Sequence, residues 1–134
     1  MPAKFTLGKK ERLKRRKVIE QVFSAGKSMA AHPVRVQYFF GEKLPGSLQA
    51  GFSASIRQFK KAPDRNRIKR LMREAYRLQK NELTSALINK NRQLAVFFIY
   101  TGNELPGYNI VSEKIAVLLN KLIRIVHEMG APNT

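Results

Sequence analysis

Basic side chains dominate the groups in this sequence that could do chemistry, and they lie in two clusters. At positions 9–17, seven of nine residues are Lys or Arg. At positions 57–77, nine of 21 residues are basic, and only Asp64 and Glu74 oppose them. Guanidinium groups bind phosphate oxygens in pairs, and the ammonium of lysine adds a point charge. The two clusters therefore predict a surface that binds a polyanion.

Groups suited to catalysis are few. His32 and His127 belong to no metal-ligand spacing such as His-Glu-x-x-His, and the nine acidic residues are scattered along the chain. No glycine-rich phosphate loop is present. Because the chain has no Cys, a thiolate nucleophile, a disulfide and a Cys-ligated zinc are all excluded. We therefore predict no catalytic and no metal-binding side chains.

The composition indicates a single folded domain with a nucleic-acid partner. The 134 residues include 26 Lys or Arg and nine Asp or Glu, a net charge of +17, while 43% are hydrophobic, enough for a core. A surface evolved for solubility alone would mix both signs, whereas these charges cluster. Among polyanionic partners, nucleic acid is favoured over an anionic membrane or an acidic protein, because its dense phosphates reward many Lys and Arg at once. We expect one domain over 1–134 with an ordered core at about 5–129. With no spanning segment, no signal peptide and no Cys, we expect a cytoplasmic protein.

The hydrophobic pattern predicts the order α-β-β-α-β-α, which is an α+β fold. The middle helix begins after Pro63, and the last begins with Ser112 as its cap. The third strand is apolar throughout, which predicts burial on both faces. The connection between the first two strands is expected to close a hairpin. The predicted ranges are helices at 12–25, 64–80 and 112–129, strands at 34–40, 48–55 and 94–100, and the hairpin connection at 41–46.

The middle helix carries opposite apolar and basic faces. At 100° per residue one face collects the apolar side chains, and the opposite face collects Arg and Asn. The helix can therefore pack on a sheet while it presents cations to an RNA or DNA. The apolar face comprises Ile68, Leu71, Met72, Ala75 and Leu78. The opposite face comprises Asn66, Arg70, Arg73 and Arg77, flanked by Arg65 and Lys69 on one side and Arg67 on the other.

The first basic cluster has two interpretations. Runs of like charge often stay mobile, so a disordered arm is one of them. The other is a structured contact to nucleic acid through Lys9, Lys10, Arg12 and Lys14, with Phe5 and Leu7 as anchors. Residue chemistry alone thus predicts a single-domain binder of RNA or DNA.

The segment 60–75 closely resembles the signature of the bacterial ribonuclease P protein component. The hallmark is Arg-Asn-Arg followed by x-Lys-Arg-x-x-Arg, and residues 65–73 match it at every fixed position. Val22-Phe23 near the end of the first helix and the glycine-containing strand at 50–53 fit the same family. The resemblance extends from about Phe5 to Met129.

The resemblance implies a fold, an activity and partners. The fold would be an α+β sandwich of the ribosomal S5 domain 2-like type with a left-handed βαβ crossover. The activity would be removal of the 5′ leader from precursor tRNA, with the chemistry in a catalytic RNA that binds Mg²⁺. The implied partners are that RNA and precursor tRNA, with no membrane and no small-molecule substrate.

The family pattern also implies two sets of RNA-binding residues. Contacts to the catalytic RNA are expected from Lys60, Lys61, Arg65, Asn66, Arg67, Lys69, Arg70 and Arg73. A cleft between the first helix and the sheet, which would hold the leader, is expected to include Ile19, Phe23, Arg35, Gln37 and Phe39.

Three positions differ from the family pattern or have another interpretation. Phe23 has a place in the core as its alternative role, and Ile19 stands where the family often has Phe. The stretch 55–61, which includes Lys60 and Lys61, is one residue longer than the commonest family form.

Two other function classes stay open at this point. A small ribosomal-type protein would share the fold type and the charge, although the Arg-Asn-Arg motif favours ribonuclease P. A stand-alone protein nuclease is disfavoured because the sequence shows no acid/base or metal constellation.

Overall fold

The computed structural model describes residues 11–129 as four helices on one four-stranded sheet. The strand order is β1-β2-β4-β3, in which β3 and β4 are parallel and the other neighbours antiparallel. The predicted α+β class is confirmed. The predicted contacts Lys9 and Lys10 and the anchors Phe5 and Leu7 lie outside the described residues. The elements are α1 (Arg16–Ala25), β1 (Lys27–Ala31), β2 (Val34–Gly41), β3 (Leu48–Ala54), α2 (Ala62–Gln79), α3 (Asn81–Asn89), β4 (Gln93–Tyr100) and α4 (Tyr108–Glu128).

The two strands predicted at 34–40 and 48–55, which are β2 and β3, do not form the predicted hairpin, because β4 lies between them in the sheet. The hairpin instead joins β2 to β1, a strand that the sequence did not predict, with Met29 opposite Val36. Strand β1, with the sequence Lys-Ser-Met-Ala-Ala, is short and lies mostly exposed at the sheet edge. Its sequence therefore lacks the alternation of apolar and polar residues by which a strand is predicted.

The crossover from β3 to β4 contains two helices instead of the predicted one. Helix α3 follows α2 after Lys80 alone and buries Leu83, Ala86 and Leu87. Nine residues are too few to show a clear helical period, so the sequence did not reveal it. Parallel neighbours joined by helices form the expected βαβ unit, whose left-handedness stays a prediction.

Helix α1 begins at Arg16, not at Arg12 as predicted. Arg12 and Leu13 run extended beside β3, where Arg12 bridges Ala50 and the Leu13 N–H donates to the Ala50 carbonyl at 2.9 Å. An edge strand offers unpaired backbone groups, and these compete with helix formation. Arg12 and Leu13 are therefore held on the sheet edge, and a structured segment replaces the disordered arm at these two residues.

Two helix starts also differ from prediction. Helix α2 begins at Ala62, two residues early, and α4 begins at Tyr108 after Gly107. Ser112 therefore lies inside α4 and is not its cap. Its Oγ and its backbone carbonyl both accept hydrogen bonds from Gln79 Nε2 at 3.2 Å, which ties α4 to α2.

One sheet face carries the main core, and the other carries α1. Alternate residues of β2 and β4, such as Val36 and Phe98, are fully buried against the helices of the core face. The predicted burial of β4 on both faces holds for part of the strand: on the face towards α1, Ala95 is fully buried, whereas Phe97 and Ile99 are half-buried. The small cluster beneath α1 comprises Leu13, Val18, Val22, Leu44 and Ala95. Within residues 11–129, no helix is long and apolar enough to cross a membrane.

Candidate nucleic-acid interface

Helix α2 presents the predicted basic face to solvent. Ile68, Met72 and Ala75 are fully buried beneath it. Two details differ, because Leu78 is 45% exposed while Tyr76 is completely buried. Tyr76 instead contacts the aromatic rings of β3 and β4. The exposed cations and amide of this face are Asn66, Arg67, Arg70 and Arg73, with Lys69 half-buried at its flank.

Arg65 differs from the other cations of the motif because its guanidinium is bonded within the chain. Its Nη1 donates to the Phe59 carbonyl at 2.7 Å and to the Lys60 carbonyl at 2.9 Å. These bonds fasten the loop before α2 to the first turn of the helix. These bonds hold the exposed Lys60 and Lys61 beside the basic face. Arg65 therefore contributes to the basic surface by keeping these two lysines in place.

An internal ion pair marks the far end of the basic face. Arg77 Nη2 lies 2.6 Å from Glu74 Oε1, and Arg77 Nε donates to Glu74 Oε2 at 3.1 Å. The hydrogen bond and charge of Arg77 lower the pKa of Glu74, and the same bond raises the pKa of Arg77. The charge of Arg77 is therefore compensated, and Arg73 is the last uncompensated cation of the predicted face.

A groove brings the two basic clusters together. It encloses about 480 Å³ between the segment that precedes α1 and the edge of the sheet. The Arg73 guanidinium lies 5.6 Å from the centre of the Phe52 ring, a cation–π distance that fixes this arginine at the groove wall. The residues that line the groove are Arg12, Leu13, Lys14, Ala50, Gly51, Phe52, Arg73 and Phe97.

Gly51 makes room for an aromatic floor in this groove. It lies opposite Phe97 in the β3–β4 register, and a Cβ at position 51 would come within 2.7 Å of the Phe97 ring. The sequence analysis missed Phe52 and Phe97 as candidate site residues. A glycine inside a strand often marks such a close approach, so Gly51 was the signal that could have pointed to them.

The cleft between α1 and the sheet adjoins the groove at Phe97. Phe23 is 46% exposed and packs edge-on against Phe97, with ring centres 5.2 Å apart. The alternative that Phe23 is a core residue is therefore excluded. An exposed and a half-buried aromatic ring beside a basic groove are suited to stacking unpaired bases while cations hold the backbone.

The predicted strand residues share the face of β2 that lies beneath α1. Arg35, Gln37 and Phe39 alternate with the buried Val34 and Val36. With its amide oriented to suit its neighbours, Gln37 accepts a hydrogen bond from Arg35 at 2.7 Å and donates one to the Lys27 carbonyl at 3.2 Å. Arg35 is thus exposed, and the half-buried Gln37 has its amide bonded within the chain. The other predicted members of the cleft, Ile19 and Phe39, pack on the small cluster beneath α1.

The described residues do not assemble a metal site. Among residues 11–129 no three His, Asp or Glu side chains lie close enough together to hold a metal ion. Mg²⁺ prefers carboxylate and phosphate oxygens, so these side chains do not fit it, and we assign no step through Mg²⁺ to this part of the chain.

Comparison with known protein families agrees with this geometry. The family described as Ribonuclease P matches residues 7–123, which include the groove, the cleft and the basic face of α2. The chain belongs to the ribonuclease P protein family. It is therefore a protein component of the tRNA-processing endoribonuclease, and this membership excludes the ribosomal-type alternative.

Curated ribonuclease P protein components resemble the chain over most of its length. The one from Porphyromonas gingivalis is 37% identical over 125 residues, which cover 92% of this chain and 89% of the relative. The one from Chlorobaculum tepidum is 37% identical over 97 residues, which cover 68% of this chain and 54% of the relative.

Solved ribonuclease P proteins share the fold at low identity. A Staphylococcus aureus RNase P protein superimposes with a TM-score of 0.67 at 18% identity, over 83% of this chain and 94% of that one. A second S. aureus structure gives a TM-score of 0.58 at 21% identity, over 90% and 92%. The α+β arrangement is therefore that of the ribonuclease P protein.

Proposed function

We propose that this ribonuclease P protein binds the catalytic RNA through the basic face of α2 and the 5′ leader of precursor tRNA in the cleft and groove. A ribonucleoprotein with an RNA subunit follows from the family. The assignment of each surface to one RNA is our proposal. The catalytic RNA supplies the chemistry with bound Mg²⁺, in the cytoplasm, and the protein supplies binding energy.

The observation that carries this proposal is the meeting of cleft and groove at Phe97. A single-stranded leader needs stacking surfaces for its bases and cations for its phosphates, and both occur around Phe97, which lines the groove and contacts the Phe23 ring. Phe23 and Phe97 offer the aromatic edges. Arg12 and Lys14 offer the charges, together with Arg73, which stands where the basic face of α2 borders the groove.

The basic face of α2 suits a folded RNA better than a single strand. Its exposed residues are almost all cationic and carry no aromatic side chain between them. Phosphate contacts position a protein on an RNA without reading its bases. Such a face can therefore dock on the backbone of the catalytic RNA while the cleft on the other side of the sheet edge accepts the leader.

Cleavage of precursor tRNA tests the proposal. The protein, a ribonuclease P RNA and the two together are each incubated with precursor tRNA and Mg²⁺. We expect the protein alone to leave the precursor intact, and the complex to cleave it at lower substrate concentrations than the RNA alone. Cleavage by the protein alone would contradict the proposal.

A further inference from the structure

A buried ion pair lies behind the groove, outside the residues that would touch RNA. Lys80 Nζ is 2.6 Å from Glu11 Oε2, and the Lys80 side chain is only 3% exposed, against 35% for Glu11. Lys80 lies between α2 and α3, and Glu11 precedes the segment that bridges β3. Burying an ammonium is costly unless it is paired, so this contact couples the two parts of the chain strongly.

The hydroxyl of Tyr76 shares this buried site. Burial raises the pKa of Tyr76 well above its ordinary value, and the Glu11 carboxylate adds to the rise. The hydroxyl has no hydrogen-bond partner among residues 11–129. Through its contact with Lys80, Glu11 is therefore held beside the C-terminal end of α2.

The segment between Glu11 and α1 has one further anchor, the Leu13 side chain, which is buried in the small cluster beneath α1. Its described backbone contacts to the sheet are the Arg12 bridge and the Leu13 hydrogen bond, both to Ala50. Arg12 and Lys14, which line the groove, stand on either side of Leu13. Their positions thus depend on what fixes residue 11 together with residue 13.

We propose that Glu11 and Lys80 are positioning residues, whose ion pair holds the segment at 11–15 on β3 and so places Arg12 and Lys14 in the groove. The inference rests on the proposed function, because it assumes that the groove binds RNA. Neither Glu11 nor Lys80 needs to contact the RNA.

An effect of net charge and the proposed positioning role predict different RNA affinities for two variants of the ion pair. Glu11→Gln makes the protein more positive, which by charge alone would tighten RNA binding. Lys80→Met makes it less positive, which by charge alone would weaken binding. Positioning predicts weaker binding for both variants. Glu20→Gln is the matched control, since it makes the same charge change as Glu11→Gln but removes only the exposed pair with Arg16.

The experiment measures two properties of the full chain at a temperature at which circular dichroism shows every variant folded. Hydrogen exchange follows the Leu13 amide, and titration of a short labelled single-stranded RNA gives the affinity and its salt dependence. In both Glu11→Gln and Lys80→Met we expect faster exchange of the Leu13 amide and weaker RNA binding.

The dependence of log affinity on log salt should become less steep by about 1.4, because two phosphate contacts are lost. Lys80→Met leaves half-exposed Glu11 in reach of water, so this variant keeps the experiment decisive even if loss of the Glu11 charge beside buried Lys80 unfolds the other.

Each other outcome has its own meaning. Unchanged Leu13 exchange in both variants would refute the positioning role, and so would affinities that simply follow net charge. Faster exchange with wild-type affinity would show that the pair holds the segment but does not place it for RNA. Failure of the wild-type chain to bind the RNA would refute the leader site itself, while Leu13 exchange would still decide whether the pair holds the segment.

Discussion

At the residue scale, Phe23 links the cleft beneath α1 to the groove, because its ring packs on Phe97. Its place near the end of α1 was predictable, and so was its candidate role in the cleft. Whether its ring faces the core or solvent was not, because an apolar neighbourhood is common to both. The structure decides this by exposure, since Phe23 is 46% exposed against Phe97. Phe97 itself was hidden in an unbroken apolar strand whose two faces the sequence could not distinguish.

Replacement of Phe23 by Ala should separate RNA binding from stability. We expect a cost of about 1–2 kcal/mol in unfolding free energy, for one edge-on aromatic contact and partial burial. Binding of single-stranded RNA should fall by about 5- to 150-fold, the equivalent of one stacked base at 1–3 kcal/mol. Thermal melts and RNA titrations measure the two effects.

Leu105→Ala is the matched control for Phe23→Ala, because Leu105 is 44% exposed but lies in the loop before α4. It should leave RNA affinity unchanged. A Phe23→Ala protein with wild-type affinity for single-stranded RNA would refute stacking at this position.

At the scale of elements, long amphipathic helices were predictable and short edge elements were not. Helices α2 and α4 have enough turns for their apolar periods to be evident, and the structure buries those periods. Strand β1 and helix α3 are short, so neither shows a period. The start of α1 was misplaced because a long-range contact with β3 outweighs local helix propensity.

Helix α2 combines two kinds of arginine, and substitution should distinguish them. Arg70→Ala should weaken binding to the catalytic RNA with a stability change within about 0.5 kcal/mol, because the side chain is exposed. Arg65→Ala should lower the unfolding free energy by about 1–3 kcal/mol, because it removes two charge-assisted bonds to the preceding loop. Denaturant unfolding and RNA titration of both variants measure this.

Each of the two variants is the control for the other, because each removes one arginine from the same helix. Equal losses of RNA affinity with equal, negligible losses of stability would contradict the division of roles between Arg65 and Arg70.

At the scale of the whole molecule, a net charge of +17 opposes the compact state. The groove concentrates part of this repulsion, because Arg12, Lys14 and Arg73 lie around one depression. The sequence predicted two basic clusters but not that they meet, because their juxtaposition depends on the unpredicted contact of residues 12 and 13 with β3.

Multivalent oxyanions should therefore stabilise the free protein more than chloride does. A ligand specific to the folded state adds about 2.7 kcal/mol when its concentration is a hundred times its Kd. We expect a higher Tm in sulfate than in NaCl of equal ionic strength, whereas pure screening would give the same Tm in both salts. This difference in Tm should shrink in the Arg12→Ala/Lys14→Ala/Arg73→Ala variant. Identical melting curves in both salts would show that the groove is not an anion site.

The central claim is that this chain holds the leader while RNA performs the cleavage. Its most direct test is single-turnover cleavage of precursor tRNAs with long and with one-nucleotide leaders, by complexes saturated with the RNA subunit. The wild-type complex should reach half-maximal rate at a lower concentration on the long leader. In the Phe23→Ala/Lys14→Ala variant this advantage should disappear while the maximal rate is unchanged. A variant that keeps the advantage, or that loses maximal rate alone, would contradict the claim.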